Sequence, residues 1–184
     1  GPQLAARIRA ALQDAGLAVQ SLACLLASET EMADSSLREA SIELGVPLRF
    51  ASLATQTDIA ITVADAPLDL SLVGRPRGRL AVIGLGPGAA ELMVPAVKAE
   101  LARCTDVLGY ETYVRMAGPF RPDQIQHCTD NREEMQRARH AFELAAQGRS
   151  VVVVSSGDPG VFAMAAAVIE ALHESRDPAW HQVE

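Results

Sequence analysis

The sequence predicts an α/β protein in which a small N-terminal α/β unit precedes an open, mainly parallel sheet with helices on both faces. Strand-like apolar runs alternate with helical runs along residues 79–184, as in a parallel sheet covered by helices. Residues 151–154 are four consecutive valines, which is typical of a central parallel strand. Aromatic residues make up only 4% of the chain, so the core must consist mainly of aliphatic side chains.

A break between the two parts is predicted at residues 74–78, whose sequence is Gly-Arg-Pro-Arg-Gly. Two glycines and a proline so close together do not fit a helix or a central strand, so we interpret this stretch as a linker. It separates an accessory unit, residues 1–73, from a sheet domain, residues 79–184.

The accessory unit carries weaker patterns. Apolar residues on one face predict a helix over residues 4–14 that ends at Gly16. A second helix is predicted to run from a cap at Ser35 or Ser36 to Leu44. Short apolar or alternating runs predict strands at residues 22–26, 48–52 and 59–63. No nucleophile, base and oxyanion donor occur together here, so no catalytic site is predicted in this unit.

The sheet domain has clearer signals. Pro95 fits the first turn of a helix that runs to about residue 103, because its fixed φ and missing donor are harmless there. Asp130 and Glu133 resemble a capping box before a further helix, which ends at Gly148. The residues that this helix should bury are Met135, Ala138, Phe142 and Ala145. Strands are predicted at residues 80–83, 106–109 and 151–154, and a last helix at residues 161–172.

Composition argues against several classes of function. The net charge of −7 and the absence of a basic stripe make nucleic acid an unlikely partner. No apolar run is long enough to span a membrane, and we expect a cytoplasmic protein. The three cysteines form no CxxC pair and the four histidines show no HxxxH spacing, so no metal site is predicted.

Two glycine-rich corners follow strands of the sheet domain, at residues 84–88 (Gly-Leu-Gly-Pro-Gly) and 155–160 (Ser-Ser-Gly-Asp-Pro-Gly). Ligands of open α/β sheets bind outside the carboxyl ends of the strands. Glycine lets the backbone approach a ligand and proline stiffens the turn, while Asp158 adds a carboxylate. The two corners together predict a site for one small-molecule cofactor.

A dinucleotide is one alternative ligand, since Gly84, Gly86 and Ala89 formally match the GxGxxG/A fingerprint. Two details count against it. Pro87 removes an amide from the turn, and the helix start at Pro95 comes several residues too late to face a pyrophosphate. No glycine run is followed by Lys-Ser or Lys-Thr, so ATP hydrolysis is set aside.

Both corners resemble motifs of the tetrapyrrole methyltransferases, which methylate corrin and sirohaem precursors with S-adenosylmethionine. Residues 79–184 are similar to the N-terminal half of that family, through residues 84–88 and residues 156–162 (Ser-Gly-Asp-Pro-Gly-Val-Phe). Residues 130–134 (Asp-Asn-Arg-Glu-Glu) and 109–113, with Tyr at both 110 and 113, look most like the branch that methylates precorrin-3B at C17 with ring contraction.

The resemblance implies S-adenosylmethionine as cofactor, a precorrin as substrate and a cleft between two α/β domains as the site. The residues it assigns to the cofactor are Leu85, Gly86, Pro87, Gly88, Ser156, Gly157, Asp158 and Val161. Those it suggests for the substrate are Tyr110, Asn131 and Arg132, the last pairing with macrocycle carboxylates. No catalytic acid or base is assigned. A module that binds a tetrapyrrole or a partner without catalysis is the second alternative.

The sequence also departs from the family. Val94 stands where the family has a capping Thr before the helix proline. The family's second domain does not follow, so we expect these 184 residues not to turn over alone, and a full-length protein to be a homodimer. Residues 37–50 faintly resemble the C-terminal module of the lactone-opening family of cobalamin biosynthesis; a docking domain without chemistry is the alternative for this unit.

Overall fold

The computed structural model describes residues 2–53, 58–130, 132–161 and 164–184. The chain forms two compact units, Gly1–Arg77 and Gly78–Glu184. Both contain helices and parallel strands, so the α/β fold class is confirmed. No helix in the described ranges has the length and apolar character needed to cross a bilayer.

The first unit contains two helices and a two-stranded parallel sheet. Its elements are α1 (Pro2–Asp14), β1 (Leu25–Ser28), α2 (Ser35–Leu44) and β2 (Leu48–Ala51). Ala5, Ile8 and Leu12 of α1 pack against Ala40 of α2 to form its core. The helical face predicted for residues 4–14 is therefore the buried face.

Three predictions for this unit need correction. The first strand is β1, three residues later than residues 22–26, because β1 is the stretch that pairs with β2. The cap of α2 is Asp34, whose Oδ1 accepts a hydrogen bond from the Ser36 amide at 2.8 Å, instead of Ser35 or Ser36. Residues 59–63 form no strand, since alternation without a pairing strand cannot hold an extended segment, and Val63 is left 70% exposed.

Residues of the predicted linker are hydrogen-bonded to the first unit. Arg75 and Phe50 exchange two backbone hydrogen bonds of 2.8 Å each in an antiparallel bridge. Arg49 donates from Nε and Nη2 to the carbonyls of Val73 and Gly74, both at 2.9 Å. Residues 74–77 therefore belong to the first unit, and the division falls between Arg77 and Gly78.

The second unit is a four-stranded parallel sheet in the order β3-β6-β4-β5. Its strands are β3 (Arg79–Gly84), β4 (Asp106–Tyr110), β5 (Ile125–Thr129) and β6 (Ser150–Ser155). Its helices are α3 (Pro95–Arg103), α4 (Glu111–Ala117), α5 (Glu134–Ala146), α6 (Met164–Glu174) and α7 (Pro178–His181). The helix start at Pro95 and the interior position of the valine strand are confirmed.

Helices cover both faces of this sheet. Val151 and Val153 point into a cluster with side chains of α5 and α6, whereas Val152 and Val154 pack with side chains of α3 and α4. All four valines are at most 1% exposed. The valine run is thus explained by burial on two faces.

Two helix starts differ from prediction. The Glu133 carboxylate accepts from the Asp130 amide at 3.0 Å, but α5 begins only at Glu134 and has no capping side chain. Ala138, Phe142 and Ala145 are buried as predicted, while Met135 is partly buried. Val161 lies in a turn and the described part of α6 begins at Met164, with residues 162–163 outside the described ranges.

The outer edge of β3 is occupied in part by the backbone of Glu184. The Glu184 amide donates to the Gly78 carbonyl at 3.0 Å, and its carbonyl accepts from the Leu80 amide at 2.8 Å. Glu184 thus bonds to the residues on either side of Arg79, which is the hydrogen-bond pattern of a parallel bridge.

A buried carboxylate ties the strands together near their amino ends. Asp106 is fully buried, and its oxygens accept from Thr105 Oγ1 at 2.7 Å, His127 Nε2 at 2.8 Å and Arg149 Nε at 2.6 Å. Burial alone would raise the pKa of Asp106, but these three hydrogen bonds and the Arg149 charge hold that pKa below its ordinary value. The carboxylate is therefore ionised and links β4, β5 and the residue that precedes β6.

Replacing Asp106 with Asn should lower the free energy of unfolding of the second unit by about 2 kcal/mol, because His127 and Arg149 lose a charged acceptor. Urea denaturation followed by the fluorescence of Trp180 measures this, since Trp180 is the single tryptophan and stacks on Phe142. Because folding lowers the pKa of Asp106, the difference between wild type and D106N should be constant at neutral pH and shrink below about pH 4. The exposed Asp123→Asn is the control and should change stability little; equal losses in both variants would contradict the prediction.

Candidate functional site

The two predicted corners meet at the carboxyl ends of two neighbouring strands in the second sheet. β3 and β6 are neighbours in parallel register, with Gly84 opposite Ser155 at their carboxyl ends. The Leu85 amide donates to the Ser155 carbonyl at 2.9 Å, and the Gly157 amide donates to the Gly86 carbonyl at 3.1 Å. The corners are therefore hydrogen-bonded to each other rather than merely near.

Glycine is required where the corners touch. A Cβ atom at Gly84 would lie 2.0 Å from the Gly157 carbonyl oxygen and 2.7 Å from Cδ of Pro159. Gly86 and Gly157 have φ values of 62° and 58°, in the left-handed region. Gly84 is thus needed for close backbone approach, and Gly86 and Gly157 are needed for their left-handed conformation.

A cleft of about 340 Å³ opens beside this contact, outside the carboxyl ends of the strands. Its size is in the range of small-molecule sites. It is lined by the first corner, the second corner and the segment before α3, through Gly84, Leu85, Gly86, Leu92, Met93, Val94, Gly157, Asp158 and Pro159.

Four of the predicted cofactor residues line the cleft: Leu85, Gly86, Gly157 and Asp158. The other four (Pro87, Gly88, Ser156 and Val161) belong to the same corners but do not line it. The apolar wall of residues 92–94 was not predicted, although three apolar residues directly before Pro95 were a readable signal. Val94 provides no side-chain cap for α3, as expected from the missing Thr.

Asp158 is the acidic side chain of the cleft lining. Its Oδ1 accepts a hydrogen bond from the Gly160 amide at 2.8 Å, which closes a local Asx turn before Val161. The residue is exposed, and its other carboxylate oxygen bonds to no other described residue. The turn therefore fixes the carboxylate and leaves one oxygen for a ligand.

Of the predicted substrate residues, Tyr110 and Arg132 do not line the cleft. Tyr110 ends β4 and packs edge-to-face on Tyr113, with ring centroids 5.3 Å apart. Arg132 is exposed after β5, whereas Asn131 lies outside the described residues. Since β4 adjoins β6, Tyr110 is at the same edge of the sheet as the second corner.

Two buried polar residues were assigned no role from the sequence: Arg137, and Ser155 at the start of the second corner. Arg137 is 4% exposed, and its burial lowers the pKa of the guanidinium despite the nearby charges of Glu134 and Glu133. The signal for it was its place one helical turn before the buried Ala141. Ser155 is 6% exposed, and its Oγ has no hydrogen-bond partner in the described part of the chain.

The structure weakens the dinucleotide alternative. The first corner leads into a short 3₁₀ turn at Ala90–Leu92 and opens no α-helix before Pro95. Asp106, at the start of β4, is engaged by Arg149, and Glu111 pairs with Arg115 on α4. The helix N-terminus and the free acidic residue that the fingerprint requires are thus not found in the described ranges. No cluster of three potential metal ligands occurs there either.

A parallel sheet with helices on both faces and a glycine-lined cleft at its strand ends is the architecture of open α/β domains, whose ligands bind at this position. The family model of the tetrapyrrole (corrin/porphyrin) methylases matches residues 79–179, which is more than half of the chain. The chain belongs to this family.

Individual relatives agree with this assignment. A precorrin-3B C(17)-methyltransferase from a Sinorhizobium species is 48% identical over 108 residues, 58% of this chain and 41% of its own. The cobalamin biosynthesis protein CobIJ of Mycobacterium tuberculosis is 54% identical over 93 residues, 50% of this chain and 18% of its own. A crystal structure of the methyltransferase CobJ superimposes with a TM-score of 0.54 and 53% identity, covering 58% of this chain and 44% of that one. The chain thus spans less than half the length of each.

Replacing Gly84 with Ala should separate the corners, because the added methyl would collide with the Gly157 carbonyl. We expect a loss of about 1–3 kcal/mol in the free energy of unfolding. Amide hydrogen exchange at Gly157 measures the local effect and should become at least about tenfold faster.

Gly86→Ala is the matched control, because an added Cβ there meets no atom within 4 Å. Its cost is confined to the left-handed backbone, about 1–2 kcal/mol, and Gly157 should keep most of its protection. Unchanged exchange at Gly157 in G84A would show that the corners do not depend on this contact.

Proposed function

We propose that residues 79–184 form the cofactor-binding part of an S-adenosylmethionine-dependent methyltransferase of cobalamin biosynthesis, which methylates a precorrin at C17 with ring contraction. The observation that carries this proposal is the hydrogen-bonded pair of corners around one cleft, in a chain of the tetrapyrrole methylase family. The C17 assignment draws on the relatives named as precorrin-3B and cobalt-factor III C(17)-methyltransferases.

The cleft has the chemistry that such a cofactor needs. Leu92, Met93 and Val94 offer an apolar wall, the glycine corners offer backbone groups, and Asp158 offers a fixed carboxylate. S-adenosylmethionine carries a sulfonium methyl group. A nucleophilic ring carbon attacks that methyl, and the C–C bond forms as the C–S bond breaks and S-adenosylhomocysteine leaves. The tasks of the protein are alignment of the reacting atoms and exclusion of water, for which no nucleophilic side chain is required.

The macrocycle would lie toward β4 and β5. Tyr110 ends β4 and Arg132 follows β5, and a guanidinium suits the carboxylate side chains of a precorrin. Asn131, the third substrate residue that we propose, lies outside the described residues. A macrocycle that contacts Tyr110 would be next to the cleft, because β4 pairs with β6.

We further propose that the described cleft is one wall of the complete site. Its exposed apolar residues, Leu92 (62%) and Val94 (58%), suit a surface that another domain or a ligand covers. A second α/β domain would supply the facing wall, and a full-length protein would be a homodimer. We propose the first unit, Gly1–Arg77, as an accessory module of the same pathway, without assigning it a reaction.

The cofactor site can be tested by calorimetric titration with S-adenosylhomocysteine, the demethylated product. The protein to use is the longest natural chain, meaning the full-length protein that contains residues 79–184. Saturable heat is expected, and Asp158→Asn should weaken binding by about tenfold, since a hydrogen bond to a charged group contributes roughly 1.5 kcal/mol. Asn keeps the turn to Gly160 and removes only the charge.

Asp177→Asn is the matched control. Asp177 also precedes a proline, and its Oδ1 accepts from the Ala179 amide at 2.9 Å, but it caps α7 and does not line the cleft. No heat from a folded wild-type protein would refute the methyltransferase proposal. Binding without methyl transfer would favour a non-catalytic module, and saturable enhancement of NADPH fluorescence would favour the dinucleotide alternative.

A further inference from the structure

Burying the charged guanidinium of Arg137 is unfavourable in free energy. Its side chain is on the first turn of α5, near the positive end of the helix dipole, and the residue is 4% exposed. No described carboxylate lies within salt-bridge distance, and burial is the main cause of its lowered pKa. The dipole opposes this charge, and Glu134 and Glu133 favour it only from beyond ion-pair distance. Burial at this position therefore points to the hydrogen bonds of the guanidinium.

The guanidinium connects α5 to two other segments. Nε donates to Thr129 Oγ1 at 2.8 Å, at the end of β5, and Nη2 donates to the Asp130 carbonyl at 2.8 Å. Nη1 contacts Sδ of Met164, the first described residue of α6, at 3.4 Å. Thr129 Oγ1 in turn lies 3.4 Å from the Gly109 carbonyl on β4. A planar fork with donors in fixed directions suits such a set of acceptors better than an ammonium group.

The cofactor cleft is held by other bonds. Its corners are joined by the Leu85–Ser155 and Gly86–Gly157 hydrogen bonds, and Arg137 contributes to neither. The residues that depend on Arg137 are those at the end of β5 that lead to Arg132. Loss of the guanidinium should therefore disturb the segment assigned to the substrate and spare the cofactor corners.

We infer that Arg137 is a positioning residue that fixes the end of β5 and the start of the following segment for tetrapyrrole binding. This inference rests on the proposed function. The structure of the site implies a separation of effects: the affinity for S-adenosylhomocysteine is independent of Arg137, and the KM for the tetrapyrrole depends on it.

Arg137→Met tests the inference, because Met fills similar volume without charge or donors. In the longest natural chain, we expect an unchanged or higher urea midpoint, a Kd for S-adenosylhomocysteine within about twofold of wild type, and a KM for the tetrapyrrole raised at least about tenfold. Arg137→Lys should recover part of the KM, since it restores one donor. Arg139→Met is the control, because Arg139 is on the same helix but forms an exposed pair with Glu174, and it should change none of these quantities.

Thr129→Val is a second variant that removes one of the two oxygen acceptors and keeps the shape of the strand residue. It should raise the KM in the same direction and by less, so the inference stays testable if R137M does not fold. A lowered urea midpoint in R137M without a change in KM, or a wild-type KM in T129V, would overturn the positioning role. Failure of wild type to bind S-adenosylhomocysteine would instead refute the proposed function on which it rests.

Discussion

The candidate site depends on the pairing of β3 with β6. These strands are the first and last of the sheet in sequence, yet they lie side by side because the chain builds β4 and β5 beyond β6 before returning. Their register places Gly84 level with Ser155, so the two turns leave the sheet at the same height. Gly84 then leaves room for the Gly157 carbonyl, and the corners bond to each other. A shift of one residue in this register would separate the corners and remove the cleft.

Secondary-structure elements were predicted correctly where the local sequence allows only one physical interpretation. The valines of β6 have to be buried on both faces, and Pro95 has to lie in a first helical turn. The sequence did not predict the order of the strands, which depends on long-range pairing that periodicity does not report. The short α4 was missed because its 7 residues are too few for a clear periodic signal, and β5 was missed because it is polar and largely exposed. For the site, the glycine corners were readable. Arg137 was missed because its place one turn before Ala141 is a weak signal, and a single arginine in a helix normally indicates a solvated face.

Buried charged groups are compensated differently at the amino and carboxyl ends of the strands. At the amino edge, Asp106 is surrounded by three donors that keep it ionised, which is an arrangement for stability. At the carboxyl edge, Arg137 is buried among neutral acceptors, and Ser155 Oγ has no partner in the described ranges. Two incompletely compensated polar groups thus lie at the strand ends that carry the glycine corners, which agrees with the ligand site proposed there.

The backbone of Glu184 beside β3 has a practical consequence for handling this chain. It blocks part of one border of the sheet, whereas β5 forms the opposite border, with Ile125 46% exposed and the thiol of Cys128 exposed as well. An uncovered strand border is a template for pairing with a second molecule, and a surface thiol can turn a transient encounter into a covalent one. Aggregation on storage should therefore start at β5, and reducing agent together with a charged residue in place of Ile125 is the rational remedy.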